Sequence, residues 1–165
     1  MVEITSFVIA DASPERVWSV LTDFGRYSEW HPYQTIDGKA EKFSSLRIVT
    51  RSLADRDSIE DARGVIITFQ PCRRLAFFTG RPLLYSTRRF FELAPHGGGS
   101  LLKHGIRVGG VFGKRAFAAP QSKHGLQLYL QAFETALVRR VTTGTSGNSG
   151  SPNRRSRRRA KAGKT

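Results

Sequence analysis

Alternation of apolar and polar residues predicts that strands dominate the middle of the chain. Strands are predicted where residues alternate or are rich in β-branched and aromatic types: 3–10, 34–36, 46–53, 64–70, 75–79, 84–93 and 100–108. Between them, residues 54–62 carry five charges of mostly one sign and predict a solvated turn. Residues 95–99 (Pro-His-Gly-Gly-Gly) predict a hairpin turn.

Two short helices are predicted between the first and second strands. Ser13 is suited to cap the first helix, and Pro14 suits its first position because proline has no N–H to lose there. Val17, Trp18 and Leu21 then fall on one helical face. A glycine separates this helix from a short aromatic one that ends at a proline.

A long helix is predicted over residues 120–141, after a flexible glycine-rich loop at 109–115. Its length would be roughly 30 Å at about 1.5 Å per residue. Arg139 and Arg140 lie at its end, where cations interact favourably with the helix dipole. Apolar residues form one stripe at helical spacing: Leu126, Tyr129, Leu130, Phe133, Ala136 and Leu137.

The predicted order is one strand, two short helices, about six further strands and one long helix. This order indicates an α+β fold in which helices lie on one side of an antiparallel sheet. A long antiparallel sheet twists and curls, and its concave face must be covered. If the covering helix does not fill the groove, an apolar cavity remains between sheet and helix.

Composition divides the chain into two parts. The 165 residues fit one domain, but residues 142–165 contain no acid, no aromatic residue and no aliphatic residue larger than alanine. Seven of the cations lie in this segment, half of the formal net charge of +14. We therefore predict a folded domain over residues 1–141 and a disordered basic tail over residues 142–165.

The remaining composition predicts a cytoplasmic protein without metal or cofactor. Cys72 is the only cysteine, so an intrachain disulfide or a cysteine metal cluster is not possible. Glu3 and Asp11 interrupt the first apolar residues, and no apolar run reaches the roughly 18–20 residues that cross a bilayer. Metal-ligand spacing is absent among the four histidines, His31, His96, His104 and His124.

The segment SPERVWSVLTDFGRYSEWHP, residues 13–32, resembles the opening of START-like domains, also called Bet v 1-like or SRPBCC domains. The resemblance is to the bacterial polyketide cyclase/dehydrase and lipid-transport type, and the predicted element order matches it over residues 3–141. It implies a helix-grip fold: a curved antiparallel sheet of about six to seven strands, wrapped around a long C-terminal helix, with two short helices after the first strand. It also implies an internal cavity for a hydrophobic ligand.

The alternation of residues along each strand predicts which side chains lie on the inner face of this sheet. One face of the sixth predicted strand carries Tyr85, Thr87, Arg89, Phe91 and Leu93. Its last three members match the HxFxL pattern of the resembled family, with Arg89 where a histidine is frequent. An inward Arg89 needs a partner, because an unpaired buried charge is costly. A ligand carboxylate or phenolate or a protein acid such as Glu29 would serve, or else the side chain points out at the strand end.

The resulting candidates for ligand contact share a place on the inner face, at the cavity mouth, in the glycine-rich loop or on the long helix. They are Trp30, Phe77, Tyr85, Arg89, Phe91, His104, Ile106, Phe112, Tyr129 and Phe133. For the aromatic members the alternative is plain core packing, and for His104 it is a hydrogen-bonded core histidine. Candidate catalytic groups are His104, Arg89 and Tyr85, although Ile106 stands where the resembled family often has a glutamate.

Three functions follow as hypotheses. The first is binding of a small hydrophobic or aromatic ligand, lipid- or polyketide-like, in the internal cavity. The second is an enzyme of the polyketide cyclase/aromatase or dehydratase kind, in which the candidate groups would move protons or hold an enolate. The third is association of the basic tail, through residues 154–164, with nucleic acid or an anionic membrane by phosphate contacts.

Overall fold

A computed structural model describes residues 2–52, 58–116 and 120–143. Seven strands form its sheet: β1 (Val2–Ala10), β2 (Gln34–Gly38), β3 (Ser45–Arg51), β4 (Ile59–Gln70), β5 (Arg74–Arg81), β6 (Tyr85–His96) and β7 (Gly99–Gly109). The helices are α1 (Pro14–Thr22), a 3-10 turn (Phe24–Arg26), α2 (Tyr27–Trp30), α3 (Val111–Ala116) and α4 (Pro120–Thr143).

All neighbouring strands are antiparallel, and their order is β1-β7-β6-β5-β4-β3-β2. The first and second strands are therefore the two edges of the sheet, and α4 and the short helices contribute buried residues to the core. This arrangement confirms the α+β helix-grip prediction and its two short helices after the first strand. Within the described residues, no helix combines the length and apolar character needed to cross a bilayer.

The N-terminal helices close one end of the sheet. The Ser13 side chain accepts a hydrogen bond from the Arg16 amide at 3.3 Å, so it is the helix cap that the sequence predicts. Val17 and Leu21 are buried in the core, and the Tyr27 hydroxyl donates to the Leu21 carbonyl at 2.7 Å. This hydrogen bond ties the second short helix to the first.

The hairpin between β6 and β7 depends on two glycines. Gly97 and Gly98 have φ values of 55° and 85°, and they form the two-residue turn between the paired residues His96 and Gly99. Positive φ at both central positions matches the twist of the flanking strands, and glycine adopts it without a Cβ penalty. The turn fixes the register of β6 against β7 and therefore the level at which each inner side chain lies.

The apolar stripe predicted on α4 is confirmed, but the two halves of the helix are buried to different extents. Phe133, Leu137 and Val141 are almost fully buried and fill the groove in its second half, whereas Leu126 in the first half is only partly buried. The helix continues to Thr143, two residues into the segment that composition assigns to the tail. The predicted tail otherwise lies outside the described residues.

The predicted solvated turn at 54–62 is wrong in its second half. Residues 59–62 belong to β4, while 53–57 lie outside the described residues. Cross-strand charge pairing explains the difference, because Arg47 on β3 donates to both carboxylate oxygens of Asp61 on β4, at 3.2 and 3.1 Å from Nε. Charged residues at alternate positions thus occupy the outer face of a strand.

The predicted flexible loop at 109–115 is also wrong. β7 runs to Gly109, Gly110 bends the chain with a φ of 84°, and α3 follows directly. The amides of Val111 and Phe112 donate to the carbonyls of Leu83 and Leu84, at 3.1 and 2.9 Å. These bonds tie the start of α3 to the β5–β6 turn, an attachment that glycine content alone did not indicate.

Candidate functional site

Side chains on the inner face of β5, β6 and β7 stack in layers, because antiparallel pairing brings residues on the three strands to one level. One layer holds Leu75, Phe91 and His104, which are direct cross-strand partners and are all buried. We call it the floor layer. The Phe133 ring of α4 covers it, with its centroid 5.7 Å from that of Phe91. The floor layer is therefore a packed core.

The next layer, two residues toward the open end of the sheet, contains a charge. Phe77, Arg89 and Ile106 are cross-strand partners there and form what we call the arginine layer. Two residues further lies the hydroxyl layer of Thr79, Thr87 and Val108.

The two threonine hydroxyls of this outer layer lie 2.6 Å apart and share a hydrogen bond. The hydroxyl layer therefore adds neutral polar groups on the mouth side of the charged layer.

A cavity of about 180 Å³ occupies the level of the arginine and hydroxyl layers. It lies between the concave face of the sheet and the first half of α4, where Leu126 and Tyr129 line the space without filling it. Its lining comprises Gln34, Ile48, Thr50, Glu60, Ala62, Phe77, Thr79, Tyr85, Thr87, Arg89, Ile106, Val108, Leu126 and Tyr129.

Arg89 points inward from β6, with 5% of its surface exposed. Its guanidinium carbon lies 4.9, 5.0 and 5.2 Å from the ring centroids of Phe133, Tyr129 and Phe91. Among the described residues it forms no ion pair, and its Nε and Nη1 atoms are buried without a hydrogen-bond partner. Burial consequently lowers the pKa of Arg89 below its usual value.

Glu29, the acid that the sequence offered as a partner for Arg89, is engaged elsewhere. Its carboxylate accepts a hydrogen bond from Arg140 at 2.6 Å and lies 3.7 Å from Arg26. Aromatic faces stabilise a nearby cation only in part, by about 0.5–2 kcal/mol. The guanidinium therefore retains unused hydrogen-bonding capacity beside the cavity.

His31 orients the hydroxyl of Tyr129. The Nδ1 atom of His31 accepts hydrogen bonds from the amides of Tyr33 and Gln34, at 3.2 and 3.1 Å, so the ring proton must sit on Nε2. That atom lies 3.5 Å from the Tyr129 oxygen and donates to it. Burial, and then the charge of Arg89, lower the pKa of His31 to about 3, which keeps the ring neutral. The Tyr129 hydroxyl is thus left to donate its own proton.

His104 lies in the floor layer and is satisfied on one side only. Its Nε2 lies 2.8 Å from Oε1 of Glu134, while Nδ1 is buried without a partner among the described residues. Burial, and then the charge of Arg89, lower the pKa of His104 to about 3. The neutral ring therefore donates from Nε2 to the carboxylate. This arrangement agrees with the interpretation of a hydrogen-bonded core histidine.

The structure brings five of the ten ligand-contact candidates around the cavity: Phe77, Tyr85, Arg89, Ile106 and Tyr129. Phe91, His104 and Phe133 instead lie beneath it, in or against the floor layer. Trp30 packs on the far side of Phe133, with ring centroids 5.8 Å apart, beside an outer groove. Phe112 is 58% exposed on α3 and does not contribute to the lining.

Sequence reasoning did not nominate the rest of the lining, which comes mostly from β2, β3 and β4: Gln34, Ile48, Thr50, Glu60, Ala62, Thr79, Thr87, Val108 and Leu126. For two of these the signal was available. Thr87 lies on the predicted inner face of β6, and Val108 shares a face with His104 and Ile106. Glu60 was missed because its segment was assigned to a turn.

Of the three proposed catalytic groups, Arg89 and Tyr85 line the cavity and His104 does not. Burial raises the pKa of Tyr85, so that its hydroxyl stays protonated at neutral pH. Within the described ranges, no group of three or more histidine, cysteine or acidic side chains is placed to hold a metal ion. The lining combines apolar walls, hydroxyl groups, one buried cation and the carboxylate of Glu60.

Comparisons with solved structures support the fold. The chain is 14% identical to TTHA0849 from Thermus thermophilus, with a TM-score of 0.70 over 87% of this chain and 99% of that one. It is also 14% identical to the Zhui aromatase/cyclase from Streptomyces sp. R1128, with a TM-score of 0.68 over 91% and 99% of the two chains.

A third similar structure is NE0264 from Nitrosomonas europaea, at 12% identity and a TM-score of 0.68 over 87% of this chain and 96% of that one. No curated protein matches the chain. The model of one protein family, described as polyketide cyclase / dehydrase and lipid transport, matches residues 1–158. The chain therefore belongs to the polyketide cyclase / dehydrase and lipid transport family, as the segment at residues 13–32 led us to expect.

Proposed function

We propose that this protein binds a small hydrophobic or aromatic molecule in the cavity between the sheet and α4. The observation that carries the proposal is a cavity of about 180 Å³ whose largely apolar lining contains one buried cation without a protein partner among the described residues. Apolar cavities with a few convergent polar groups are the usual binding sites for small molecules. The family description, which includes lipid transport, is consistent with this function.

The two halves of α4 support a binding role over simple core packing. In the second half, Phe133 and Leu137 are buried and fill the groove. In the first half, Leu126 and Tyr129 line an open volume. Since protein interiors normally pack densely, an open volume of this size at one end of an otherwise filled groove favours occupation by a ligand.

The second candidate function is a cyclase/aromatase or dehydratase activity, and the converging donors of Arg89 and Tyr129 favour it. Such donors can stabilise an enolate, but the reaction also needs a general base within hydrogen-bond reach. Among the described residues of the lining there is no histidine, and the acid at the mouth is Glu60. His104 donates to Glu134 beneath the cavity, and Ile106 stands where the family often has a glutamate. Binding alone requires none of these groups.

The predicted association of the tail with nucleic acid or an anionic membrane rests on residues 154–164. These residues lie outside those that the structure describes. The hypothesis therefore stays a prediction from charge alone. A cytoplasmic location likewise stays a prediction, from the pattern of apolar residues. Removal of residues 144–165 should abolish retention on an anionic matrix at low salt if the tail carries it.

A native mass spectrum of the purified protein tests the binding proposal. The folded protein is first weighed intact and is then denatured, so that any released organic molecule can be identified. Two matched variants show whether the released molecule binds in this cavity. Ala62→Phe places a ring in the cavity from β4, whereas Arg63→Phe places the same ring on the exposed outer face of that strand.

We expect wild type and Arg63→Phe to release the same molecule and Ala62→Phe to release none or much less. A molecule retained equally by all three proteins would lie outside this cavity. Bare protein in every case, with no uptake of added small apolar compounds, would contradict the proposal.

A further inference from the structure

Arg89 is a buried side chain with unsatisfied hydrogen-bonding capacity. Only 5% of its surface is exposed, and two of its nitrogen atoms lack any partner among the described residues. None of the candidate acids is hydrogen-bonded to Arg89: Glu134 acts on it through its charge but accepts from His104 at 2.8 Å, Glu29 pairs with Arg140 beside the outer groove, and Glu60 lies at the mouth, beyond the hydroxyl layer. A buried cation without a counterion is costly, and an anion beside it would remove that cost.

A second donor acts at the same place. The Arg89 guanidinium carbon lies 5.0 Å from the centroid of the Tyr129 ring, and both side chains line the cavity. Because His31 donates to the Tyr129 oxygen, the Tyr129 hydroxyl proton is free to point toward a ligand. A guanidinium and a hydroxyl together offer donors for the two oxygens of one carboxylate.

The charge and size of the cavity restrict the ligand further. One guanidinium balances one negative charge, and the surrounding rings of Phe77 and Phe91 would disfavour a second, so a dianionic phosphate ester fits poorly. The volume of about 180 Å³ slightly exceeds the ~150 Å³ of an apolar cavity that holds one benzene molecule. Apolar contacts for such a ring are available from Ile106, Val108 and Leu126.

We propose that the cavity binds an aromatic monocarboxylate of one-ring size as its anion, with the carboxylate on Arg89 and Tyr129 and the ring between the sheet and Leu126. This inference rests on the proposed ligand binding and specifies its chemical class. The charged end of the ligand lies deep in the cavity, and the ring extends toward the hydroxyl layer. The benzoate ion is the simplest probe of this class.

Calorimetric titration of the full chain at neutral pH tests the assignment. Benzoate is compared with benzyl alcohol, which has the same ring and no charge. We expect wild type to bind benzoate at least about tenfold more tightly, because hydrogen bonds to charged groups are roughly twice as strong as neutral ones and the pair neutralises a buried cation. Equal affinity for the two compounds would overturn the proposal without requiring any variant.

Three variants test which residues cause the preference for benzoate over benzyl alcohol. Arg89→Met keeps the approximate volume and should abolish the preference for benzoate, and Tyr129→Phe should weaken benzoate binding by about fivefold. Arg88→Met is the matched control, because Arg88 is the adjacent residue on the opposite face of β6, and it should leave the preference unchanged. A preference that survives in Arg89→Met, or disappears in Arg88→Met, overturns the assignment.

The two proposals fail in different ways. If both compounds bind equally and Ala62→Phe excludes both, the cavity binds ligands but the assignment of an anion is wrong. If neither compound binds at millimolar concentration, the assignment of a one-ring acid is wrong, and the mass spectrum of the purified protein decides separately whether the cavity is a binding site. Benzoate binding that Ala62→Phe does not weaken also overturns the assignment, because it lies elsewhere.

Discussion

The guanidinium carbon of Arg89 lies 4.9 Å from the centroid of the Phe133 ring, so a cation on β6 rests against an aromatic face of α4. We expect this contact to appear as an energetic coupling. Phe133→Leu should lower the free energy of unfolding, and it should cost about 1 kcal/mol less when Arg89 is already methionine. Chemical denaturation of the two single variants and the double variant measures the coupling. Equal costs in both backgrounds would show that the contact contributes nothing.

Removal of the buried charge should stabilise the ligand-free protein. We expect Arg89→Met to raise the free energy of unfolding by about 1 kcal/mol or more, because methionine packs among the same rings without an unpaired charge. Arg88→Met, on the outer face of the same strand, should change it by less than about 0.5 kcal/mol. Both values come from denaturant unfolding without ligand. Destabilisation by Arg89→Met would mean that the guanidinium has a protein partner after all.

The pH dependence of stability should reflect the buried histidines. The pKa of His104 is about 3 in the folded protein, against 6.5 for an ordinary histidine. Between these values the unfolded chain binds a proton that the folded protein does not, so the free energy of unfolding falls as the pH decreases from about 6.5 toward 3. Above that window His104 makes no pH-dependent contribution.

His104→Gln isolates this contribution. Glutamine can still donate an N–H to Glu134 but cannot take up a proton, so its unfolding free energy should fall less steeply over the same window. Acidic groups titrate in both proteins and cancel in the comparison. Identical slopes for the two proteins would show that His104 becomes protonated in the folded state as readily as in the unfolded chain.

Two glycines with nearly the same backbone conformation should respond differently to alanine. Gly98 and Gly110 have φ values of 85° and 84°, so alanine is strained at both, by about 1–2 kcal/mol. A Cβ at Gly98 meets nothing within 4 Å, whereas at Gly110 it would collide with the Leu84 carbonyl. We expect Gly110→Ala to be clearly the more destabilising.

Hydrogen exchange locates that effect. The Val111 and Phe112 amides bond to the β5–β6 turn, and displacement of the backbone at Gly110 should accelerate their exchange. Gly98→Ala lies at the other end of β7 and should leave them unchanged. Equal stability losses, with protection of both amides intact in Gly110→Ala, would contradict the structural explanation.

The elements of this fold follow closely from the sequence wherever the signal is local. The cap at Ser13, the double-glycine turn and the apolar stripe of α4 each act through neighbours within a few residues, and the structure has all three. The start of β4 was not predicted, because it depends on Arg47 across the sheet. Composition alone cannot distinguish a charged loop from the charged outer face of a paired strand.

The candidate site was likewise predicted only in part from the sequence. Alternation placed Arg89 on the inner face of β6. Whether an inner-face residue contacts the cavity or the packed core depends on which part of the groove the side chains of α4 fill. Phe133 covers Phe91 and His104 and leaves Arg89 open to the cavity, a consequence of helix position that spacing cannot supply. The expected partner Glu29 pairs instead with Arg140, and Arg89 keeps two buried nitrogens without a partner among the described residues; both facts follow only from three-dimensional proximity.

The layered inner face has a consequence for selectivity by length. Successive levels of a sheet are separated by two residues, or roughly 7 Å. A molecule that enters this cavity meets the hydroxyls of Thr79 and Thr87 one such step before the guanidinium of Arg89. If the cavity binds a ligand as proposed, compounds whose two polar ends are about one step apart would contact both levels at once, and shorter or longer ones would contact only one.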